Sequence, residues 1–250
     1  MPAYYEQPAK PALGRSVECG WLLHSDEAIT GHRVPPDGCL DIIYDRTHGL
    51  RVIGTMTTEQ RFDYPEGAWL AGIRFRPGMA GRFLGVSPAE LTDTSAPLED
   101  LWAHRAQKLK NRLEDAKSIQ EAMRIMLGSL PAFAAAPNPV QRAIEAITAA
   151  NGNVDLESVA LQANLSPRQF RRRCREESGL GPKHLCRVLR FRHACRLAGA
   201  MGRLNWSAIA LEAEYFDQAH FIRDFRHFTG LAPMSVFSNT RPRDPSSIGA

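Results

Sequence analysis

Two stretches in the C-terminal part decide the fold: LSPRQFRRRCREESGLGP at residues 165–182 and EYFDQAHFIRDFRHFTG at residues 214–230. Each contains a residue type that caps helices, Ser166 in the first and Asp217 in the second, and each ends a helical run at a glycine. Serine and aspartate accept hydrogen bonds from the free N–H groups of a first helical turn. Glycine adopts the left-handed conformation that closes a helix. Each stretch therefore predicts a turn followed by a capped helix.

A short helix is predicted immediately before each stretch. Val159 and Ala160 share one face of the first of these helices, and Ile209 and Ala210 share one face of the second. A short helix, a tight turn and a capped second helix form the helix-turn-helix layout. The layout occurs on both sides of a long helix predicted at residues 182–200, and a tandem pair is far more specific than a single unit.

The second helix of each unit is predicted to have one buried and one polar face. Phe170 and Cys174 lie four residues apart in the first unit and can both face inward. Arginine suits bidentate contacts with guanine and pairing with phosphate. A merely solvated face is the alternative interpretation, although so many arginines on a short helix repel one another unless an anion is present. The residues predicted to face away from the buried side are Arg168, Arg171, Arg172 and Arg175 in the first helix, and Gln218, Ala219, His220 and Arg223 in the second.

Positive charge is concentrated in this half of the chain. Residues 138–240 carry 14 Lys and Arg against 9 Asp and Glu, whereas residues 1–137 carry 15 against 17. This distribution favours a polyanionic partner for the C-terminal part. No apolar run approaches the ~20 residues that cross a bilayer, and the N-terminus lacks the regions of a signal peptide. We therefore expect a cytoplasmic protein with no membrane segment.

The first 130 residues predict a β-rich module followed by helices. Short β-prone runs lie at residues 39–44, 50–53 and 69–75, and apolar residues recur at helical spacing over residues ~98–128. These helices carry more apolar positions than a small β module needs, which predicts a homodimer. The fold class is thus α+β with two domains: a β-rich sensor or dimerisation domain at 1–130, a Pro-rich linker at 131–139 and an all-α domain at 140–240.

The C-terminal part resembles the DNA-binding domain of the AraC family of bacterial transcription regulators. The family usually has glycine at the position of Glu214, phenylalanine at that of Cys174 and Tyr-Arg at residues 237–238. Because glutamate tolerates a positive φ poorly, Glu214 raises the question whether the second turn keeps the family's geometry. The resemblance lies in Ile209-Ala210, Tyr215-Phe216-Asp217, residues 220–226 and Gly230-Leu-Ala-Pro233, with residues 165–172, 179–182 and 190–194 matching the first unit and the joining helix.

This resemblance implies that the second helix of each unit, its recognition helix, enters the major groove of double-stranded DNA. Arg168 and Arg172 match base-contacting positions of the family, whereas Arg171 and Arg175 would hold phosphates. In the second unit the matching positions are Gln218, Ala219 and Arg223, with His220 nearby. The helix between the units would hold the two recognition helices about one turn of DNA apart.

The N-terminal part more weakly resembles an uncharacterised domain that some AraC-type regulators carry in place of their usual effector-binding barrel. Residues 35–44, 52–55, 72–78 and 84–93 carry this resemblance. By analogy it is a cupin-like β module with helices, where a small-molecule effector would bind. Arg74 and Arg76 could hold an acidic ligand, although a half-exposed strand shows the same alternation.

No catalytic residues, metal ligands or cofactor are predicted. His24, His32 and His48 follow no ligand spacing, and HxH, CxxC and HExxH motifs do not occur. The favoured function is therefore a sequence-specific DNA-binding transcription regulator controlled by an effector or by dimerisation.

A DNA-repair-linked regulator is the alternative function, because the same double unit is fused to alkyl-acceptor domains in such proteins. That chemistry needs an activated cysteine, typically within Pro-Cys-His, whereas Cys39 stands between Gly38 and Leu40. All five cysteines are expected to be free thiols. The effector, the operator and the choice between activation and repression do not follow from the sequence.

Overall fold

The chain folds into a β-rich N-terminal part and a helical C-terminal part, as the sequence predicts. The computed structural model describes residues 3–131, 136–201 and 204–237. The linker predicted at 131–139 lies partly outside these residues, as do Ser238 and the end of the predicted second domain. The first helix of the C-terminal part begins at Pro139, with Asn138 as its cap.

The strands of the described N-terminal part form two antiparallel sheets. Six strands pair in the order β1-β2-β7-β4-β5-β8, and β3 pairs with β6 in a separate two-stranded sheet. The sequence placed β4, β5 and β7 to within one residue of their observed ends. The strands are β1 (Ala3–Pro8), β2 (Val17–Ser25), β3 (Ile29–Val34), β4 (Leu40–Asp45), β5 (Gly49–Ile53), β6 (Gln60–Tyr64), β7 (Ala68–Phe75) and β8 (Ser95–Pro97).

Alternation along the strands gives the six-stranded sheet two different faces. Ile42 of β4 and Ile73 of β7 are buried in the core that the sheet forms with its helices. Their neighbours Asp41 and Arg74 point to the opposite face, because successive side chains of a strand alternate. There they line a cavity that β3 and β6 cover.

The helices that follow the strands close the apolar core. Leu109 and Leu113 of α3 and Met123 and Met126 of α4 are buried in the same cluster as the sheet. No large apolar side chain among residues 98–130 is exposed. The apolar positions that suggested a homodimer are thus satisfied within the chain, and the oligomeric state stays a prediction. The helices are α1 (Gly81–Leu84), α2 (Glu99–Trp102), α3 (His104–Glu114) and α4 (Ile119–Ser129), with a 3-10 helix at Pro88–Glu90.

Seven helices of the described C-terminal part pack around a second core of their own. This core joins both helix-turn-helix units through the long central helix. None of the helices in the described ranges is both long and apolar enough to cross a membrane. The helices are α5 (Pro139–Ala149), α6 (Leu156–Gln162), α7 (Pro167–Ser178), α8 (Pro182–Ala200), α9 (Trp206–Glu212), α10 (Gln218–Thr229) and α11 (Pro233–Phe237).

The two parts pack closely against each other. Gly38 lies so near to Leu185 of α8 that a Cβ atom would come within 3.2 Å of its side chain. The Arg192 guanidinium of the same helix pairs with the carboxylate of Glu18 in β2. Contacts between the parts are therefore apolar as well as ionic, and both kinds reach the helix that joins the two units.

Candidate nucleic-acid interface

The first helix-turn-helix unit consists of α6 and α7. The Ser166 hydroxyl accepts a hydrogen bond from the backbone N–H of Gln169, whose side chain in turn accepts one from the backbone N–H of Ser166. This reciprocal arrangement is a capping box. Gly179 ends the helix at a φ of 81°. Phe170 and Cys174 are buried, as their spacing predicts, and they anchor α7 in the core.

The second unit, formed by α9 and α10, is built in the same way. Asp217 caps α10 by accepting a hydrogen bond of 2.6 Å from the backbone N–H of His220. The helix ends at Gly230, which has a φ of 69°. Phe221, Phe225 and Phe228 form the buried stripe that their spacing predicts.

The joining helix α8 contacts the second unit through an ion pair with a buried carboxylate that sequence reasoning missed. Two N–H groups of the Arg187 guanidinium donate to Oδ1 of Asp224 in α10, at 3.1 and 2.8 Å. Phe191 packs between Phe225 and Phe228, with ring centroids 5.4 and 5.0 Å apart. Asp224 lies three residues after Phe221 on the same helix face, and this spacing was the signal that could have identified it as an inward-facing carboxylate.

The structure exposes most of the side chains that were predicted to contact DNA. His220 is half-buried, with its ring 5.2 Å from that of Tyr215. The Gln218 side chain accepts a hydrogen bond of 2.7 Å from Ser207 of α9, so it also joins the two helices of its unit. Arg172 forms an exposed ion pair with Glu176 one turn along, and such pairs contribute little to stability. The exposed side chains are those of Arg168, Arg171, Arg172, Arg175, Gln218, Ala219 and Arg223.

The first recognition helix borders the N-terminal part. The Ser87 hydroxyl donates a hydrogen bond of 2.7 Å to the backbone carbonyl of Glu176 in α7. A cleft of about 950 Å³ lies beside this contact, and its walls include Arg168 and Arg172 from α7 and Asp93 from the N-terminal part. The sequence contains no local signal for this contact.

The two arginines suggested as ligand-binding residues lie in different places. Arg74 lines the cavity of the N-terminal part, where Glu6, Asp37 and Asp41 surround its guanidinium. Arg76 follows the end of β7, and its Nε donates to the backbone carbonyl of Gly14. The structure does not bring the two side chains together.

The cysteines are not arranged for alkyl transfer. All five are buried, and burial raises the pKa of each thiol, for Cys174 to about 12 and for Cys186 to about 11. A reactive cysteine needs a lowered pKa and access to its substrate. Among the described residues, no group of three or more His, Cys, Asp or Glu could hold a metal ion.

Two family models match the chain. Residues 5–97 match a domain of unknown function (DUF6597), and residues 159–239 match a helix-turn-helix domain. A search of curated proteins finds no match. The helix-turn-helix match covers α7 to α11 and most of α6.

Solved structures of ToxT from Vibrio cholerae are similar to the chain at low identity. An apo variant from strain SCE256 has 11% identity and a TM-score of 0.46 and covers 95% of this chain and 96% of its own. ToxT from O395 has 9% identity, a TM-score of 0.42 and the same coverage. Wild-type ToxT with bound unsaturated fatty acid has 9% identity, a TM-score of 0.42 and 94% coverage of both chains.

Proposed function

We propose that the chain is a DNA-binding transcription regulator and that its two recognition helices bind successive major-groove segments of double-stranded DNA. The match of residues 159–239 to a helix-turn-helix domain supports this proposal. The observation that carries the proposal is the matching register of α7 and α10. Counted from the buried Phe170 and Phe221, the residues two positions before and two positions after are exposed in both helices. Both helices therefore have exposed residues at the same two positions, where they could contact the major groove.

The length of the joining helix supports this mode of binding. α8 has 19 residues, which corresponds to a length of about 28 Å, and the Arg187–Asp224 pair connects it to α10. Successive major-groove segments are about 34 Å apart. Arg168 and Arg172 would contact bases in the first segment and Ala219 and Arg223 in the second, while Arg171 and Arg175 would hold phosphates. Gln218 would contact bases in the second segment as well, and His220 would lie nearby.

We further propose that the N-terminal part regulates this binding through a small-molecule effector, and that the protein has a regulatory rather than a catalytic role in the cytoplasm. The contacts of that part with α7, α8 and α10 support the proposal, because they connect it to both helix-turn-helix units. A homodimer remains a further prediction, without support from the packing of α3 and α4.

The test begins with DNA selected from a random library by binding to the full-length protein. Binding of the selected sequence is measured by fluorescence anisotropy for Arg172→Ala and Arg223→Ala. Arg124→Ala is the control, because it removes the same charge from the exposed face of α4. We expect both recognition-helix variants to lose affinity for the selected sequence by about 1–3 kcal/mol and the control to lose none. A selection that enriches no sequence, or equal losses for all three variants, contradicts the proposal.

A further inference from the structure

The N-terminal part contains a cavity of about 300 Å³ between the two sheets, here called the sheet cavity. One wall is the face of the six-stranded sheet that carries Trp21, Ile43 and Leu70, and the opposite wall carries Phe62 and Tyr64 from β6. This volume lies at the lower end of the range for small-molecule sites. The cavity therefore fits a ligand with one or two rings.

Aromatic rings form much of this enclosure. The rings of Tyr4 and Trp21 lie 6.1 Å apart on one side, and those of Phe62 and Tyr64 are stacked 6.4 Å apart on the other. Trp21 lies directly over Gly72, where a Cβ atom would come within 2.1 Å of the indole ring. The indole N–H donates a hydrogen bond of 3.0 Å to Oδ2 of Asp41. Two aromatic surfaces thus face the cavity, and one of them is held beside a carboxylate.

The charged groups of the cavity have an excess of negative charge. The side chain of Arg74 is only 5% exposed and lies within 3.1 to 3.4 Å of three carboxylates, those of Glu6, Asp37 and Asp41. Four aspartates line the sheet cavity against two arginines and two histidines. The second arginine, Arg51, donates to the hydroxyl of Ser95. The negative charge around Arg74 therefore exceeds its own positive charge, and we do not expect Arg74 to bind an acidic ligand.

Asp41 is the carboxylate with unmet bonding capacity. Its Oδ1 atom is buried and accepts no hydrogen bond from the described residues. Burial outweighs the nearby Arg74 and raises the pKa of Asp41 above its ordinary value. An ionised carboxylate in such a place is stabilised by a further positive charge or hydrogen-bond donor.

From these contacts we propose that the sheet cavity binds an organic cation, an amine with an apolar or aromatic body, as the effector. The ammonium group faces Asp41, and the body lies between Trp21 and the Phe62–Tyr64 pair, because cations and aromatic faces attract each other. This ligand class differs from the acid that Arg74 and Arg76 suggested in the sequence.

A short segment connects this cavity to both recognition helices. Residues 54–59, here called the connector, join β5 to β6, and Gly54 and Met56 line the cavity. On the other side of the connector, the Thr55 hydroxyl donates a hydrogen bond of 2.9 Å to the carbonyl of Ser178, the last residue of α7. The backbone N–H of Glu59 donates one of 2.8 Å to the carbonyl of Phe228 in α10.

A strand next to the connector strengthens the second contact. Arg33 of β3 pairs with Glu59 at 2.6 Å and donates a hydrogen bond of 2.7 Å to the carbonyl of Thr229, the last residue of α10. The cover of the sheet cavity is thus bonded to the C-terminal ends of both recognition helices. A ligand that displaces Met56 or β6 changes these bonds, and this output step rests on the proposed function in DNA binding.

The binding step is tested on the full-length protein without DNA. Isothermal titration calorimetry compares 3-phenylpropylamine, 3-phenylpropan-1-ol and 3-phenylpropionate, which share one body and differ in charge. We expect the amine to bind, and we expect Asp41→Asn to lower the affinity for the amine about tenfold or more. Asp26→Asn, an exposed aspartate outside the cavity, is the matched control and leaves the affinity unchanged. Tyr64→Leu keeps an apolar side chain in the wall but removes the aromatic ring, so it should also lower the affinity for the amine.

Three outcomes overturn the cation assignment: tighter binding of the propionate than of the amine, unchanged amine binding in Asp41→Asn, and no binding of the amine at millimolar concentration. The output step is tested separately with library-selected DNA. We expect the amine to change the affinity for DNA about fivefold or more, and Thr55→Val to keep amine binding but lose this change. If the amine binds but does not change the DNA affinity of the wild type, the role of the connector is refuted and the cation assignment stands. If the wild type selects no DNA, the proposed function is refuted and the cation assignment stands.

Discussion

Glu214 occupies in the second helix-turn-helix unit the turn position that Asn164 occupies in the first. Their φ angles are 58° and 55°. The backbone N–H of Glu214 donates to the carbonyl of Leu211 at 3.0 Å, as that of Asn164 donates to Leu161 at 2.9 Å. The second turn thus keeps the geometry of the first, although asparagine adopts this left-handed conformation more readily than glutamate.

Glu214→Gly is therefore expected to stabilise the protein. A non-glycine residue in the left-handed region costs about 1–2 kcal/mol, and the greater freedom of glycine in the unfolded chain offsets part of this gain. We expect the free energy of unfolding, measured with urea, to rise by up to about 1 kcal/mol. Glu212→Gly is the control, because Glu212 is helical and glycine destabilises a helix. Equal destabilisation by both changes would show that the turn is not strained.

Arg172→Ala and Arg175→Ala are expected to separate base contact from phosphate contact. Arg172→Ala should weaken binding of the selected sequence by ~1–3 kcal/mol and leave binding of random DNA nearly unchanged. Arg175→Ala should weaken both about equally and reduce the slope of affinity against salt concentration. Titrations of both variants at several salt concentrations measure this. If both lose the same affinity on selected and random DNA, the two roles are assigned incorrectly.

The fragment 135–250 is expected to fold and to bind DNA without the N-terminal part. Its apolar cluster consists only of residues from α5 to α11, so the core does not depend on the sheets. Leu185 lies against Gly38 and Ile144 against Gly78 of the N-terminal part. Removal of that part exposes both side chains, which should lower the thermal midpoint of the fragment relative to the full-length protein. Footprinting should show protection over roughly two turns of DNA. A folded fragment without sequence preference at any salt concentration would disprove this.

The ion pair between Glu18 and Arg192 is expected to make the free energy of unfolding depend on pH in the acidic range. Burial alone would raise the pKa of Glu18, but the Arg192 guanidinium and its hydrogen bonds lower it to about 2. Because the folded pKa lies below the unfolded value of about 4.3, the ion pair stabilises the protein at neutral pH. This contribution is lost as the pH falls from about 5 to about 2.

Glu18→Gln should therefore lower the free energy of unfolding at pH 7 by about 2–3 kcal/mol and flatten its decline below pH 5. Urea denaturation at several pH values measures both effects. Asp26→Asn is the control, since Asp26 is exposed. An unchanged acid profile in Glu18→Gln would mean that other carboxylates account for the decline.

The elements that the sequence determined depend on neighbours along the chain. Ser166 and Asp217 cap helices through N–H groups three residues away, and Gly179 and Gly230 end them within one turn. The buried stripe of α10 likewise repeats every three or four residues. Interactions of such short range follow from the local sequence pattern. The helices of both helix-turn-helix units could therefore be predicted almost to their ends.

The tertiary structure alone decided which distant groups meet. Arg74 is 33 residues from Asp41 and 68 from Glu6. Only the pairing of the strands brings these carboxylates to the buried guanidinium. Thr55 and Ser178 are 123 residues apart, and no periodicity predicts that the connector holds a recognition helix. Local patterns determine helices and their caps because those bonds span one turn, whereas burial and charge balance depend on the whole packed chain.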